Sequence, residues 1–268
     1  MMVRDMTEDL GPLSIVVVDI GNTHTRIARW VEGEISDLRC GASGDEGEVH
    51  GMLAAVRQRC ENQQRQAIVI ASVVPQRTAA LAEHIDRDLE LRPFVIGDNT
   101  PLPLEVAVRA PEQVGIDRVC AAAAAFDHIG RACVVVDVGS AVTVDFVDDA
   151  GVFQGGAILP GPLLQAQALA SGTAQLPLAK LSPGTPVLGK DTASAIASGI
   201  CVGLAGAIRA IVEEIATIAG DWPQTVLTGG AAGLIADRMD FVDNQVPNLC
   251  LMGAGIAYIK RAMRMQEG

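Results

Sequence analysis

The chain has 268 residues, 49% hydrophobic and 3% aromatic, with a mean hydropathy of +0.31. It is too apolar for a disordered chain and long enough to bury a core of Val, Ile, Leu and Ala, in one large domain or two of about 130 residues. A formal net charge of −12 and a pI near 4.7 argue against nucleic acid and anionic membranes as partners, since both call for a basic footprint.

The N-terminal MMVRDMTEDLGP carries acids and no apolar run, so it does not read as a signal peptide. Six cysteines form no CxxC and are read as buried free thiols of a reducing cytoplasm. The four histidines lack ligand spacing, which argues against zinc.

In chain order, Ile15–Ile20 reads as a buried strand, Gly21-Asn22 as a turn, Thr23–Trp30 as a second strand and Glu34–Leu38 as a short third. Val49, Met52, Leu53, Val56 and Cys60 recur at helical spacing. Ala67–Val73 is a strand, Leu81, Ile85 and Leu89 mark a helix, and Pro93–Ile96 is a strand. Gly115 to Arg118 opens an alanine-rich helix through Cys120–Phe126.

The pattern then repeats. Residues 134–139 read VVVDVG where residues 16–21 read VVVDIG. Strands Ala132–Val138, Val142–Val147 and Val152–Ile158 precede a helix near 162–170 and a loop over 176–189. A long helix over 191–219 follows, then strand Gln224–Leu227, a Thr228-Gly229-Gly230 turn, and helices near 231–238 and 253–265. Residues Thr192 to Ile208 are uncharged but would span only roughly 26 Å, so a buried helix fits better than a membrane span. Two halves that each begin with Asp-x-Gly predict a two-lobed α/β protein with a cleft between the lobes, divided as 13–120 and 121–268 within a soft boundary at 115–131.

Each Asp-x-Gly turn suits phosphate. Glycine lets backbone N–H groups approach the anion, and neighbouring hydroxyls add donors. Asp19 would repel phosphate unless Mg²⁺ lay between them, and metal ligation is what such a carboxylate offers. Either hairpin alone could be ordinary turn chemistry; two in equivalent places of a duplicated chain are harder to dismiss. The chain has no GxxxxGK[ST] and no GxGxxG across these glycines. Asp117 at a helix start could be only a dipole partner. In a phosphotransferase it could take the proton of an attacking hydroxyl, while Arg118 pairs with a carboxylate.

As an ordered set, DIGNT (19–23), ASVVP (71–75), GIDR (115–118), DVGSAVT (137–143), GGAILPG (155–161), TAQLP (173–177), GKDT (189–192) and LTGGAA (227–232) resemble the type III pantothenate kinases. The resemblance spans about residues 14–262. It implies the actin-like, sugar-kinase-like fold of duplicated ribonuclease-H-like lobes, and ATP-dependent phosphorylation of pantothenate, the first step of coenzyme A synthesis. By position it implies ATP contacts at Asp19, Ile20, Gly21, Asn22, Thr23, His24, Thr25, Arg26 and Ser140. It implies pantothenate contacts at Gly115, Ile116, Asp117 and Arg118, with Asp117 as proton acceptor. Asp137 falls where the family binds a monovalent cation, K⁺ or NH₄⁺, and Thr192 where the partner subunit of a homodimer completes the substrate site. Ser140 stands where the family usually has Thr, and Val108 where it commonly has an aromatic. Two other readings stay open on the same fold: a kinase of another hydroxylated acceptor, and a non-catalytic regulatory protein.

Overall fold

The computed structural model describes residues 13–60 and 65–266, so the N-terminal segment read for a signal lies outside the described residues. The chain packs as two compact units: the first runs through Gly130 and takes up the chain again from Asn248, and the second is Arg131–Pro247. This division differs from the expected 13–120 and 121–268 at two places. The alanine-rich helix continues to Ile129, where Gly130 ends it in a left-handed conformation, and the closing helix returns to the first unit.

In the first unit, β1 (Leu13–Ile20), β2 (His24–Val31) and β3 (Glu34–Ala42) form an antiparallel meander. Helix α1 (Glu46–Gln58) leads to β4 (Arg65–Ser72), and α2 (Pro75–Leu89) to β5 (Phe94–Val95). The sheet order is β3-β2-β1-β4-β5, with β1 and β4 parallel. The strand β6 is two residues, Glu105–Val106. The predicted helical stripe holds: Val49, Leu53, Val56 and Cys60 are buried against Val16, Val18, Ile68 and Ile70. Cys40 is the exception to the buried-thiol expectation. It lies on β3, the edge of the sheet order, where residues 36–40 are exposed.

Helix α3 (Ile116–Ile129) buries every residue from Val119 to Ala125. Its alanines admit α6 (Leu249–Arg264) at close range, and a β-carbon at Gly253 would collide with the carbonyl of Cys120. Gly255 similarly leaves room for the fully buried Trp30 ring. Helix α6 begins four residues earlier than its expected start at 253, because Leu249 and Cys250 are themselves buried.

The second unit repeats the topology. Strands β7 (Cys133–Val138), β8 (Ala141–Val147) and β9 (Val152–Pro160) form the meander, followed by α4 (Pro162–Gly172), α5 (Thr192–Ala219), β10 (Gln224–Thr228) and β11 (Asn244–Gln245). The order β11-β10-β7-β8-β9 mirrors the first sheet: each Asp-x-Gly strand has an antiparallel neighbour on one side and a parallel one on the other. Residues 231–238 form two short 3₁₀ turns rather than the expected helix, since the segment is folded tightly onto the sheet core through Ala232 and Ile235.

Helix α5 is, among the described residues, the one long and apolar enough to cross a membrane by length and composition. Its inner face instead fills the core of the second unit. Cys201, Leu204, Ala205, Ile208 and Val212 pack on Val134, Val136, Val142 and Val144. The small residues Gly199, Gly203 and Gly206 lie on its exposed side with nothing within 4 Å of where a β-carbon would stand.

Candidate functional site

The predicted residues fall into two groups, one in each unit. In the first, Asp19 and Ile20 end β1, paired across to Arg26 and Thr25. The turn between them closes with Gly21 N–H donating to the His24 carbonyl at 3.1 Å. Asn22, Thr23 and His24 are exposed at the tip, as residues that meet a ligand should be. Arg26 lies 3.7 Å from the Asp19 carboxylate, an ion pair whose acid is largely buried, at 13% side-chain exposure. Ile20 and Thr25 point inward: Ile20 is core, and the Thr25 hydroxyl is buried 2.9 Å from the Ser43 hydroxyl. These two support the turn with their side chains rather than presenting them.

ASVVP connects to this turn. Val73 N–H donates to the Ile20 carbonyl at 3.2 Å, and Ser72 Oγ to the same carbonyl at 3.4 Å. Proline at the first position of α2 then starts a helix where its missing N–H costs nothing. GIDR packs beside the same connection, with the Val73 Cγ1 methyl 3.6 Å from where a β-carbon of Gly115 would stand.

Gly115 caps α3, and Asp117 sits in its first turn, accepting from the Arg118 N–H at 2.8 Å. Burial pushes the Asp117 carboxyl above the usual carboxylate range, against the opposing pull of that N–H and the Arg118 charge. A carboxylate raised in this way is a better proton acceptor than a solvated one. Asp19 and Asp117 both act electrostatically on the thiol of Cys250. That thiol is held well above the ordinary range by its hydrogen bond with Cys120, by burial, and then by the two acids. Both candidate carboxylates therefore lie within electrostatic reach of Cys250 in the first unit.

In the second unit, Asp137 lies between Thr143 on β8 and Thr228 on β10. Three glycine motifs converge on its turn. Gly139 N–H donates to the Ala141 carbonyl at 2.9 Å, Gly161 N–H to the Ser140 carbonyl at 3.0 Å, and Ala231 N–H to the Val138 carbonyl at 2.9 Å. Gly229 has φ +103°, and a β-carbon there would stand 2.5 Å from Asp137 Oδ1 as well as against the Val138 backbone. Only glycine permits this close approach of backbone to the Asp137 carboxylate. Ser140 is exposed at the tip. Thr192 is exposed in the first turn of α5, behind a capping box in which Ser194 N–H donates to Asp191 Oδ1 at 2.8 Å and Asp191 N–H to Ser194 Oγ at 3.1 Å.

Among the described residues no three His, Cys, Asp or Glu side chains are grouped to hold a metal by themselves. A magnesium ion carried by nucleotide phosphates needs only one or two carboxylates from the protein. Asp19, at its strand end, is a candidate for that role.

A cavity of about 790 Å³ lies elsewhere. It sits where β7 begins and β8 ends, opposite the Asp137 turn, and is lined by Phe146, Ile215, Trp222, Asp148 and Glu214 among others. It holds none of the predicted site residues, although Gly155, Gly156 and Ala157 of GGAILPG line it, and its acids, which outnumber Arg131, would repel phosphate, so the two groups above remain the candidates.

Ser43 and Arg77 were missed by sequence reasoning. Both touch the first turn, yet neither lies inside a recognisable motif: Ser43 follows β3, and Arg77 enters with α2.

The profile of one family, Type III pantothenate kinase, matches residues 15–214. Among solved structures, the chain is similar to a Baf family protein from Campylobacter jejuni, with TM-score 0.60 and 19% identity over 93% of this chain and 99% of that one. It is similar to the ethanolamine utilization protein EutJ from Carboxydothermus hydrogenoformans, with TM-score 0.51 and 16% identity over 96% and 94%. It is also similar to a ROK family glucokinase from Streptomyces griseus, solved with glucose and AMPPNP, with TM-score 0.50 and 15% identity over 93% and 99%. At these identities the likeness establishes the fold, that of the actin-like and sugar-kinase-like ATPases.

Proposed function

Because the chain belongs to the type III pantothenate kinase family and is therefore a kinase, we propose that it transfers the γ-phosphate of ATP to the primary hydroxyl of pantothenate, giving 4′-phosphopantothenate at the start of coenzyme A synthesis in the cytoplasm. The observation that carries the reading is the half-buried Asp117 carboxylate, raised in pKa at a helix start and flanked by Arg118.

Phosphoryl transfer asks a protein for positioning and charge neutralisation more than for covalent chemistry. The turn from Asp19 to Arg26 and the Ser140 turn hold the nucleotide phosphates. Asp117 accepts the proton of the attacking hydroxyl, and the Arg118 guanidinium pairs with the acceptor's carboxylate, with Gly115 and Ile116 forming the wall beside it. Magnesium at Asp19 and a potassium or ammonium ion at Asp137 would offset the charge of a tetra-anion in a protein of net charge −12. The backbone N–H groups at the N-terminal end of α3 and the Arg118 charge favour the ionised form of Asp117, against the burial that disfavours it.

The active unit in this reading is a homodimer in which Thr192 of one chain completes the neighbour's acceptor site. Support comes from the bare glycine side of α5 and from the exposed Leu163, Leu164, Val187 and Leu188, an apolar surface of the kind that partners cover.

An assay of ATP-dependent phosphate transfer with Mg²⁺ and K⁺ against a panel of hydroxyl acceptors tests the reading. Turnover with pantothenate above the other acceptors supports it. Turnover of a different acceptor with pantothenate inert would overturn the substrate, and no transfer to any acceptor would favour a regulatory role.

A further inference from the structure

The first phosphate turn is held from behind by a small network that no sequence motif announces. Arg77 Nη1 donates to the Asn22 carbonyl at 2.8 Å and to the Gly21 carbonyl at 3.4 Å. Ser43 Oγ donates to the Gly21 carbonyl at 2.8 Å. Since Ser43 has one hydroxyl proton and spends it there, Thr25 must be the donor in the buried Thr25–Ser43 pair. Ser43 N–H takes the Thr23 carbonyl at 3.0 Å. Three successive carbonyl oxygens, those of residues 21, 22 and 23, are thus drawn toward α2 and the β3–α1 connection.

Arg77 is also in the wrong place for helix stability. It occupies the first turn of α2, which carries no acidic residue, and there the partial positive charge of the helix end disfavours a guanidinium. Something other than helix formation accounts for a cation at this position. Carbonyl oxygens repel a phosphate, and N–H groups attract it, so a turn that must bind an anion benefits from having its carbonyls tied back.

We propose that Arg77 is a positioning residue for nucleotide binding: by fixing the Gly21 and Asn22 carbonyls it presets the 21–23 turn with its anion-attracting side toward the phosphates, and Ser43 locks the same turn from its other flank. The inference rests on the kinase reading of the first hairpin. It concerns the nucleotide alone and makes no demand on the acceptor.

The test is calorimetric binding of Mg²⁺–AMPPNP to the full chain and to Arg77→Met, Arg77→Lys and Ser43→Ala, with thermal melting of each and steady-state kinetics on the best acceptor. Arg77→Met removes the donors but keeps the bulk, and relieves the charge at the helix end, so its melting temperature should not fall. Its Kd for the nucleotide should rise about tenfold or more, as for loss of a charge-assisted hydrogen bond. The KM for ATP should rise with it, while the KM for the acceptor and kcat at saturation stay near the parent values. Arg77→Lys should recover part of the affinity, and Ser43→Ala should weaken the nucleotide in the same direction. A folded Arg77→Met with unchanged nucleotide affinity overturns the proposal while leaving the kinase reading intact. Equal weakening of both substrates together with a lower melting temperature overturns it as well, because that is the signature of a mere strut. Failure of the unmodified chain to bind nucleotide would overturn both.

Discussion

Asp117 folds its carboxylate back over Gly115, so closely that a β-carbon at residue 115 would lie 2.5 Å from Oδ1. The carboxyl is raised in pKa mainly by burial. A raised acid lends the fold stability while protonated, and that stability is lost as pH rises through the folded pKa. Above the folded pKa the ionised Asp117 is therefore a cost to the fold. Asp117→Asn should lower turnover about 10²-fold or more and yet leave the melting temperature at pH 7 equal or higher. The acid limb of kcat/KM in the parent should lie above the ordinary carboxylate value of about 3.9. Near-normal turnover in the variant would reduce Asp117 to a helix-end charge. Gly115→Ala should push the carboxylate aside and lower kcat while nucleotide affinity holds.

In the second unit the comparable test is Gly229→Ala. Its positive φ and the crowding against Asp137 and Val138 make any side chain there strained. Urea denaturation should show a loss of about 2 kcal/mol or more. Activity in potassium should fall further than the stability loss explains, since the added β-carbon would displace the Asp137 carboxylate. Replacing potassium by a bulky organic cation at constant ionic strength should depress the parent enzyme; an unchanged rate would remove Asp137 from the cation role.

The rings of His50 on α1 and His84 on α2 stack at 3.5 Å with 5° between their planes, and His84 Nδ1 lies 2.7 Å from Asp88. Burial first, then the neighbouring His84, lowers the His50 pKa; Glu46 and Asp88 oppose this, and Arg87 adds to it. A lowered histidine pKa contributes stability that is present above the unfolded value of about 6.5 and is lost as pH falls through the folded pKa. Melting temperature should decline on acidification through this window, and His50→Gln should flatten that part of the profile. An identical slope in the variant would exclude the stack as its source.

Mixing two inactive chains tests shared sites. Asp117→Asn keeps an intact Thr192, and Thr192→Trp keeps an intact Asp117. In a heterodimer with shared sites, one of the two sites draws both intact residues and should recover activity. No recovery after confirmed subunit exchange, or a monomer in sedimentation at assay concentration, would sink the shared site.

The duplication was legible in the sequence because VVVDIG and VVVDVG are strands buried on both faces, and such runs are apolar without interruption. The turns at 21 and 139 were legible through their glycines, whose backbone freedom is a property of the residue itself. Asp117 was legible only as a candidate, since an acid at a helix start has two explanations, and its burial beneath neighbouring chain decided its raised pKa. Nothing local marked Ser43 or Arg77, because each acts on a turn that is distant in sequence. The closing helix shows the same limit. Its apolar face is written in residues 249–264, but which unit it joins depends on the alanines of α3 and on the space left at Gly253 and Gly255. Periodicity encodes which face a segment buries; what it is buried against is a property of two surfaces, and a single segment carries only one of them.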